Sequence, residues 1–416
     1  MTLFLSGGPR RGCVRVPASK SAAQRLFLCA ALGAAPCEIA CGPLSADLSA
    51  MLNCLCALGA SISFPDGRVR IEPIRAVRAA PLRLSCGESA ATLRFLMPLV
   101  GVLGAEAVFM REGRLSERPL EPFASELRRH GMTVEADGAL LHCAGLLHGG
   151  DWALSGNVSS QFISALLLAL PLLEEDSTLT ITGSLESAPY VALTEQTLCK
   201  ASIRCAHDGA VYTISGRQRP VLPPSLTVEG DWSAAAVFLA MGALSDEGVS
   251  AAGLDCASTQ GDRTILDLLR AVGADVSVRN GLVAVRKNAL RGIRFDASQT
   301  PDLAPVIAAL GALSEGETRI ENAARLRAKE SDRLHSTAVM LSSLGADIEE
   351  LSDGLLIRGK SLLPGGETDS FSDHRIAMAA AVAACGCENG VTLRRAGSVV
   401  KSYPRFWDDF GSLGGL

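Results

Sequence analysis

Six times along this chain an apolar, helix-like stretch ends at a turn residue and runs into a short strand-like segment. The copies read MLNCLCALGASISF, ELRRHGMTVEA, TLCKASIRCA, LLRAVGADVSV and LSSLGADIEE, with WDDFGSLGG as the sixth. Their turn positions, Gly59, Gly131, Lys200, Gly273, Gly345 and Gly414, fall about 70 residues apart, so six units fill the chain. Two such matches arise by chance, whereas six in register define an architecture. Each unit also carries a second helix, such as QRLFLCAALG, QFISALLLALPLL or RIAMAAAVAACG. These helices are apolar on nearly every side, which places them in the interior. Segments such as RVRIEPI, VYTISG, VSVRN and LLIRG alternate and read as strands.

A chain of 416 residues exceeds what one hydrophobic core ordinarily serves. The expected fold is therefore α/β with two domains, each an inside-out α/β barrel of three repeated units. Every unit contributes two helices and several strands, with helices at the centre and sheets outside. VRVPASK opens the first full unit near residue 17, and TVEGDWSAAA is the expected return crossing. The domains are accordingly expected at 18–228 and at 1–17 with 229–416, joined by two crossings.

Composition narrows the functional classes. The chain is 48% hydrophobic, 20% charged and 4% aromatic, which describes a globular protein with an aliphatic core. Its longest apolar stretch, Phe162 to Leu173, is broken by Ser164 and Pro171 and falls short of the ~20 residues that span a bilayer. The opening MTLFLSGGPRRG lacks a basic region ahead of a long apolar core, so a cytoplasmic protein with no membrane partner is expected. A net charge of −5 argues against a nucleic-acid partner. The 13 cysteines are scattered among Ala and Leu and read as small buried hydrophobes in a reducing compartment. The C-x-C pairs Cys54/Cys56 and Cys385/Cys387 have no second cluster beside them, so no structural metal is expected.

Anion-binding chemistry has to come from local clusters. In VPASKSAAQRLFLCAALG, Lys20 and Ser21 stand where an extended segment enters a helix, and Arg25 follows four residues later on the same face. A Ser cap beside two solvated cations serves this pattern as well as an anion site does. NVSSQFISALLLALPLL stacks Ser159, Ser160 and Gln161 at the mouth of a buried helix, more hydrogen-bonding capacity than a cap needs. REGRLSERPLEP sets Arg114 and Arg118 before a proline-initiated helix. RLRAKESDRL packs Arg325, Arg327, Lys329, Glu330, Asp332 and Arg333 into ten residues, and its i to i+4 spacing puts Lys329 and Arg333 on one helical face. An exposed, salt-bridged helix is the ordinary source of such a run. SDHRIAMAA brings Asp373, His374 and Arg375 to the start of a buried helix, and Lys401 stands in SVVKSYPRF. His374 receives no catalytic role.

Taken together, PASKSAAQR, CGESAATLR, RLSERPL, SSQF, SAPY, PDLA, RAKESDR, DHR and KSYP occur in order across the whole chain. In that order they resemble the motifs of the enolpyruvylshikimate phosphate synthases. The resemblance implies two domains of three repeats linked by two crossings. The implied reaction moves the enolpyruvyl group of phosphoenolpyruvate to the 5-hydroxyl of shikimate 3-phosphate, in the route to chorismate and aromatic amino acids. It further implies no metal, no organic cofactor and a monomer acting on these two small substrates. Carried over position by position, Ser21, Arg25, Ser159, Ser160, Gln161, Ser187 and Lys329 resemble shikimate 3-phosphate contacts, with Lys20 and Asp302 also touching that substrate. Lys20, Ala90, Arg118, Gln161, Arg333, Arg375 and Lys401 resemble the phosphoenolpyruvate site. Asp302 resembles the carboxylate that takes the 5-hydroxyl proton, Glu330 the acid that protonates the methylene, and Lys20 counts with the catalytic set.

Three positions depart from the family pattern. Arg325 stands where Asn is usual, Glu88 replaces the Asn of the G-N-A-G-T loop, and Ala90 replaces its second Gly. A methyl at Ala90 is expected to intrude on glyphosate, which is longer than phosphoenolpyruvate, and so to confer tolerance. The nearest rival is the enolpyruvyl transferase acting on UDP-N-acetylglucosamine, which begins with a K-N pair and carries a loop cysteine that the stretch from Met110 to Pro122 lacks. An RNA 3′-phosphate cyclase is disfavoured by the acidic balance. A repeat scaffold without chemistry has little reason to gather Lys20, Arg118, Arg333, Arg375 and Lys401 with Asp302 and Glu330.

Overall fold

The computed structural model describes residues 1–77 and 81–416. The chain separates into two compact units, Ala18–Val228 and Met1–Pro17 with Glu229–Leu416. In both, the same small sheet is built repeatedly. Gly150–Ser155 runs parallel to Ser177–Thr182, with Trp152 opposite Leu179. Ser177–Thr182 is antiparallel to Val211–Ile214, which pairs in turn with Cys205–Asp208. Among the described residues, five four-stranded sheets share this parallel–antiparallel–antiparallel order, and a sixth has three strands.

Each unit closes on itself. Ser225–Thr227, at the end of the 18–228 unit, pairs in parallel with Cys37–Ala40 near its start. In the other unit, Gly12–Arg15 pairs in parallel with Val249–Ala252, and Thr2–Leu5 lies antiparallel to Val391–Arg394. The first residues of the chain are thus structural parts of the unit formed mostly by its second half.

Strand burial shows the sheets to be an outer layer: along Leu82–Gly87, Leu82, Leu84 and Cys86 face inward while Arg83 and Ser85 are exposed. Inside lie helices buried on all sides. Ala304–Gly311 and His374–Ala384 have every residue buried; small and aliphatic side chains make up most of both, and only His374 and Arg375 at the start of the second are polar. Lys20–Ala31, Ala90–Val102 and Ser160–Ala169 occupy the equivalent places in the 18–228 unit. The fold is the two-domain inside-out α/β architecture.

Five of the six turn positions, Gly59, Gly131, Gly273, Gly345 and Gly414, adopt positive φ, where the absent Cβ removes the steric penalty. In the third unit the positive φ falls on Ser202, two residues beyond Lys200, which is still the last residue of its helix. RLRAKESDRL is not one helix: Ala324–Ala328 forms a 3-10 turn and the α-helix begins only at Arg333. Asp332 caps it, accepting from the His335 backbone N at 3.1 Å. REGRLSERPLEP likewise forms a 3-10 turn at Gly113–Ser116, and the following helix starts at Phe123, behind Pro122. All 13 cysteines are free thiols, most of them buried. No helix among the described residues is long and apolar enough to cross a membrane.

Candidate active site

In the 18–228 unit the expected contacts collect at the N-termini of the central helices. Lys20 is the first residue of Lys20–Ala31, behind the Ser19 cap, and its Nζ lies 2.7 Å from Asp47 Oδ2. Arg25, one turn inside, is buried. Its Nε donates to Thr194 Oγ1 at 2.7 Å and its Nη1 to the Ser21 carbonyl at 2.8 Å, while Nη2 reaches the Tyr190 carbonyl and Ser164 Oγ. Burial lowers the Arg25 pKa to about 10, with Tyr190 and Cys29 working against that fall, so the guanidinium stays charged at neutral pH. Its plane also lies over the Phe95 ring, 5.0 Å from the centroid.

The Ser159–Ser160–Gln161 mouth is organised by a residue to which sequence reasoning gave no role. Ser159 caps the helix by accepting from the Gln161 backbone N. Arg94, from the neighbouring central helix, donates to Gln161 Oε1 at 2.9 Å and to Ser159 Oγ at 3.3 Å, and its other terminal nitrogen holds the Pro119 carbonyl at 3.0 Å. The guanidinium therefore ties the serine-rich mouth to the segment that follows Arg118. With its oxygen on Arg94, Gln161 keeps its NH2 end for another acceptor. Ser187 is buried with φ +55 at the head of Ala188–Lys200. Ala90, 6% exposed, is the first residue of its helix behind the Ser89 cap. The Glu88 side chain packs over Gly113, occupying the space a side chain there would need.

In the other unit a second cluster centres on Arg333, 2% exposed. Its Nη1 lies 2.9 Å from Asp302 Oδ1, its Nη2 2.8 Å from Glu330 Oε2 and its Nε 2.8 Å from Asp373 Oδ2. Asp302 sits on the 3-10 turn Pro301–Leu303, and its second oxygen meets Arg375 Nη2 at 3.0 Å. Lys401 Nζ is 4.0 Å from Glu330 Oε1. Asp373, fully buried, also caps the helix that starts at His374 and accepts from Ser331 Oγ at 3.1 Å. Burying so many charges is tolerable only because each is paired. Burial pushes the Asp302 pKa up, but Arg375, Arg333 and Lys329 outweigh it and hold the carboxyl well below the usual range. Arg333 loses stability as a cation by burial, yet Asp373, Glu330 and Asp302 raise its pKa above the ordinary value.

Of the expected residues, the structure brings Asp302, Glu330, Arg333, Arg375 and Lys401 into this one cluster. The Nη2 of Arg325 donates to the Ser298 carbonyl at 2.8 Å. Arg114 pairs with Glu117 at the surface. Asp47, Arg94, Asp373 and Asp262, a buried acid taken up below, were given no role from sequence. The visible signal for two of them was a helix start: Asp373 caps HRIAMAA, and Asp47 stands in the first turn behind the Ser45 cap.

Buried helix N-termini and paired cations are features suited to anionic ligands, and the fold is of the enolpyruvyl-transferase type. The family profile described as "EPSP synthase (3-phosphoshikimate 1-carboxyvinyltransferase)" matches residues 6–410. A 3-phosphoshikimate 1-carboxyvinyltransferase of Clostridium perfringens is 39% identical over 411 residues, covering 98% of this chain and 96% of the relative. One from Clostridium kluyveri is 40% identical over 409 residues, covering 97% and 95%. The EPSP synthase structure from Acinetobacter baumannii superposes with a TM-score of 0.83 at 25% identity, covering 99% of this chain and 98% of that one. The enolpyruvyl transferase NikO of Streptomyces tendae, at 20% identity and TM-score 0.80, shares the fold. This chain belongs to the EPSP synthase (3-phosphoshikimate 1-carboxyvinyltransferase) family.

Proposed function

We propose that the chain transfers the enolpyruvyl group of phosphoenolpyruvate to the 5-hydroxyl of shikimate 3-phosphate and releases phosphate. The observation that carries the site assignment is the Arg333 cluster, which joins two acids, Asp302 and Glu330, to Arg333, Arg375 and Lys401. Both substrates are polyanions, so such a cluster supplies binding and stabilises the departing phosphate.

As it stands, Asp302 is a weak base, because both of its oxygens are held by arginines. Phosphoenolpyruvate offers those arginines a phosphate and a carboxylate instead. Once they turn to it, Asp302 regains basicity and takes the proton of the attacking 5-hydroxyl. Glu330 protonates the methylene carbon during addition and receives a proton back during elimination, when the bond to phosphate breaks. Lys20, Ser21, Arg25, Ser159, Ser160, Gln161, Ser187 and Lys329 hold shikimate 3-phosphate. Lys20, Ala90, Arg118 and Gln161 complete the phosphoenolpyruvate site with Arg333, Arg375 and Lys401. The protein acts as a cytoplasmic monomer, for which sedimentation velocity is the check. Phosphate release from phosphoenolpyruvate, measured separately with shikimate 3-phosphate and with UDP-N-acetylglucosamine, tests the reading. Release with the UDP-sugar alone overturns it.

A further inference from the structure

One acid close to the Arg333 cluster differs from its neighbours. Asp262 lies on the 3-10 turn Gly261–Thr264 and is 3% exposed. The turn is pinned to the helix Trp232–Ala243 by Gln260, which accepts from the Trp232 backbone N at 3.2 Å and donates to the Gly230 carbonyl at 2.9 Å. Asp262 Oδ2 accepts from Ser233 Oγ, while Oδ1 is buried with no hydrogen-bond partner among the described residues. Asp302, Glu330 and Asp373 are each paired with an arginine, but Asp262 makes no ion pair among those residues. The charged groups acting on it are Asp302, Arg375 and Asp231, from three different elements. Arg375 is the complementary oddity: one terminal nitrogen holds Asp302, while its Nε is buried without a hydrogen-bond partner.

A buried carboxylate with one hydroxyl donor and no cation bonded to it is costly, and protonation removes the cost. We propose that Asp262 is a positioning residue that stands as the neutral acid in the working enzyme, leaving Arg375 to Asp302 and to phosphoenolpyruvate, and that on ionisation it draws Arg375 away. Burial first, then the charge of Asp302, raise its pKa to about 7, against the pull of Arg375 and the Ser233 hydroxyl, so the change falls in the physiological range. Binding of anionic phosphoenolpyruvate beside Arg375 favours the protonated form, so above neutrality binding takes up a proton. The inference rests on the assignment of Arg375 to phosphoenolpyruvate made above.

The test is the KM for phosphoenolpyruvate between about pH 7 and pH 8.5, a range in which the substrate phosphate, with its pKa of about 6, no longer titrates. In the wild type KM rises by about 5- to 10-fold across the range, whereas in Asp262→Asn, a neutral isostere, it rises by less than about 2-fold. Ser233→Ala, which removes the hydrogen bond to the ionised form, moves the wild-type rise to higher pH. A second readout needs no substrate: infrared difference spectra of wild type against Asp262→Asn, recorded from pH 5.5 to pH 8.5, show a buried protonated carboxyl band that is lost as pH rises. The same pH profile in Asp262→Asn and wild type overturns the inference. If that variant fails to fold, an unmoved profile in Ser233→Ala overturns it. No turnover with shikimate 3-phosphate at pH 7 instead overturns the function, and the infrared result still decides the state of Asp262.

Discussion

Arg94 holds the side-chain oxygen of Gln161 at 2.9 Å although the two stand 67 residues apart, on adjacent central helices. The same guanidinium touches Ser159 and the Pro119 carbonyl, so two proposed substrate-binding segments share one anchor. Arg94→Lys keeps the charge but loses the planar fork. With a charge-assisted hydrogen bond contributing about 1.5–3 kcal/mol, KM for both substrates is expected to rise by about 10-fold or more, with a smaller fall in kcat. Steady-state kinetics at saturating co-substrate checks this, and unchanged KM values remove Arg94 from the site.

Proton transfer depends on the two acids bonded to Arg333. Asp302→Asn and Glu330→Gln preserve shape and remove a base and an acid, so turnover falls by about 100-fold or more in each, while substrate binding by calorimetry changes far less. Near-normal turnover in either variant removes its assigned role.

Asp373 compensates Arg333 and caps a central helix at once. Truncation to Ala leaves a buried guanidinium short of one partner and a helix without its cap. Loss of one member of a buried pair costs about 3–5 kcal/mol, measurable as a lower urea midpoint of the transition that includes this unit.

Two buried aspartates make stability depend on pH in opposite senses. The Asp302 carboxyl is held below its ordinary pKa, so its contribution is complete above about 4 and is lost as pH falls further. Asp262, raised to about 7, binds its proton more tightly folded than unfolded, so its ionisation erodes stability as pH climbs from about 4 to 7 and adds nothing beyond. The melting-temperature advantage of Asp262→Asn over wild type should therefore widen through that window and then level off. A constant difference from pH 4 to 8 contradicts it.

Glyphosate tolerance is expected from Ala90. Overpacking a tight pocket by one methyl costs roughly 1–3 kcal/mol, so Ala90→Gly is expected to be inhibited at about 5- to 150-fold lower glyphosate at equal phosphoenolpyruvate saturation. Equal inhibition of the two enzymes assigns sensitivity to something other than this methyl.

The architecture was legible because periodicity reports burial: helices such as APVIAALG admit no polar face, and glycine marks the helix ends where the backbone turns left-handed. The charged segment around residue 330 was less so. Its i to i+4 spacing imitates a helix, whereas Asp332 is the cap that stops one from starting earlier. The partnerships of Arg333 with Asp302 and Asp373, and of Arg94 with Gln161, were not readable, since each joins residues dozens of positions apart. Asp262 gave no local signal, because what sets it apart is that, among the described residues, no cation is bonded to it although Arg375 acts on it.

The pairing of Thr2–Leu5 with Val391–Arg394 also sets a timetable for synthesis. Residues 18–228 contain a whole closed unit and can fold while the ribosome is still at work. The first strand, Thr2–Leu5, cannot: its partner follows about 390 residues later, and at about 5–20 residues per second that delay is roughly 20–80 s. Throughout it Phe4 and Leu5 remain without a sheet. Until Val391–Arg394 follows, these apolar residues are open to chaperones and proteases.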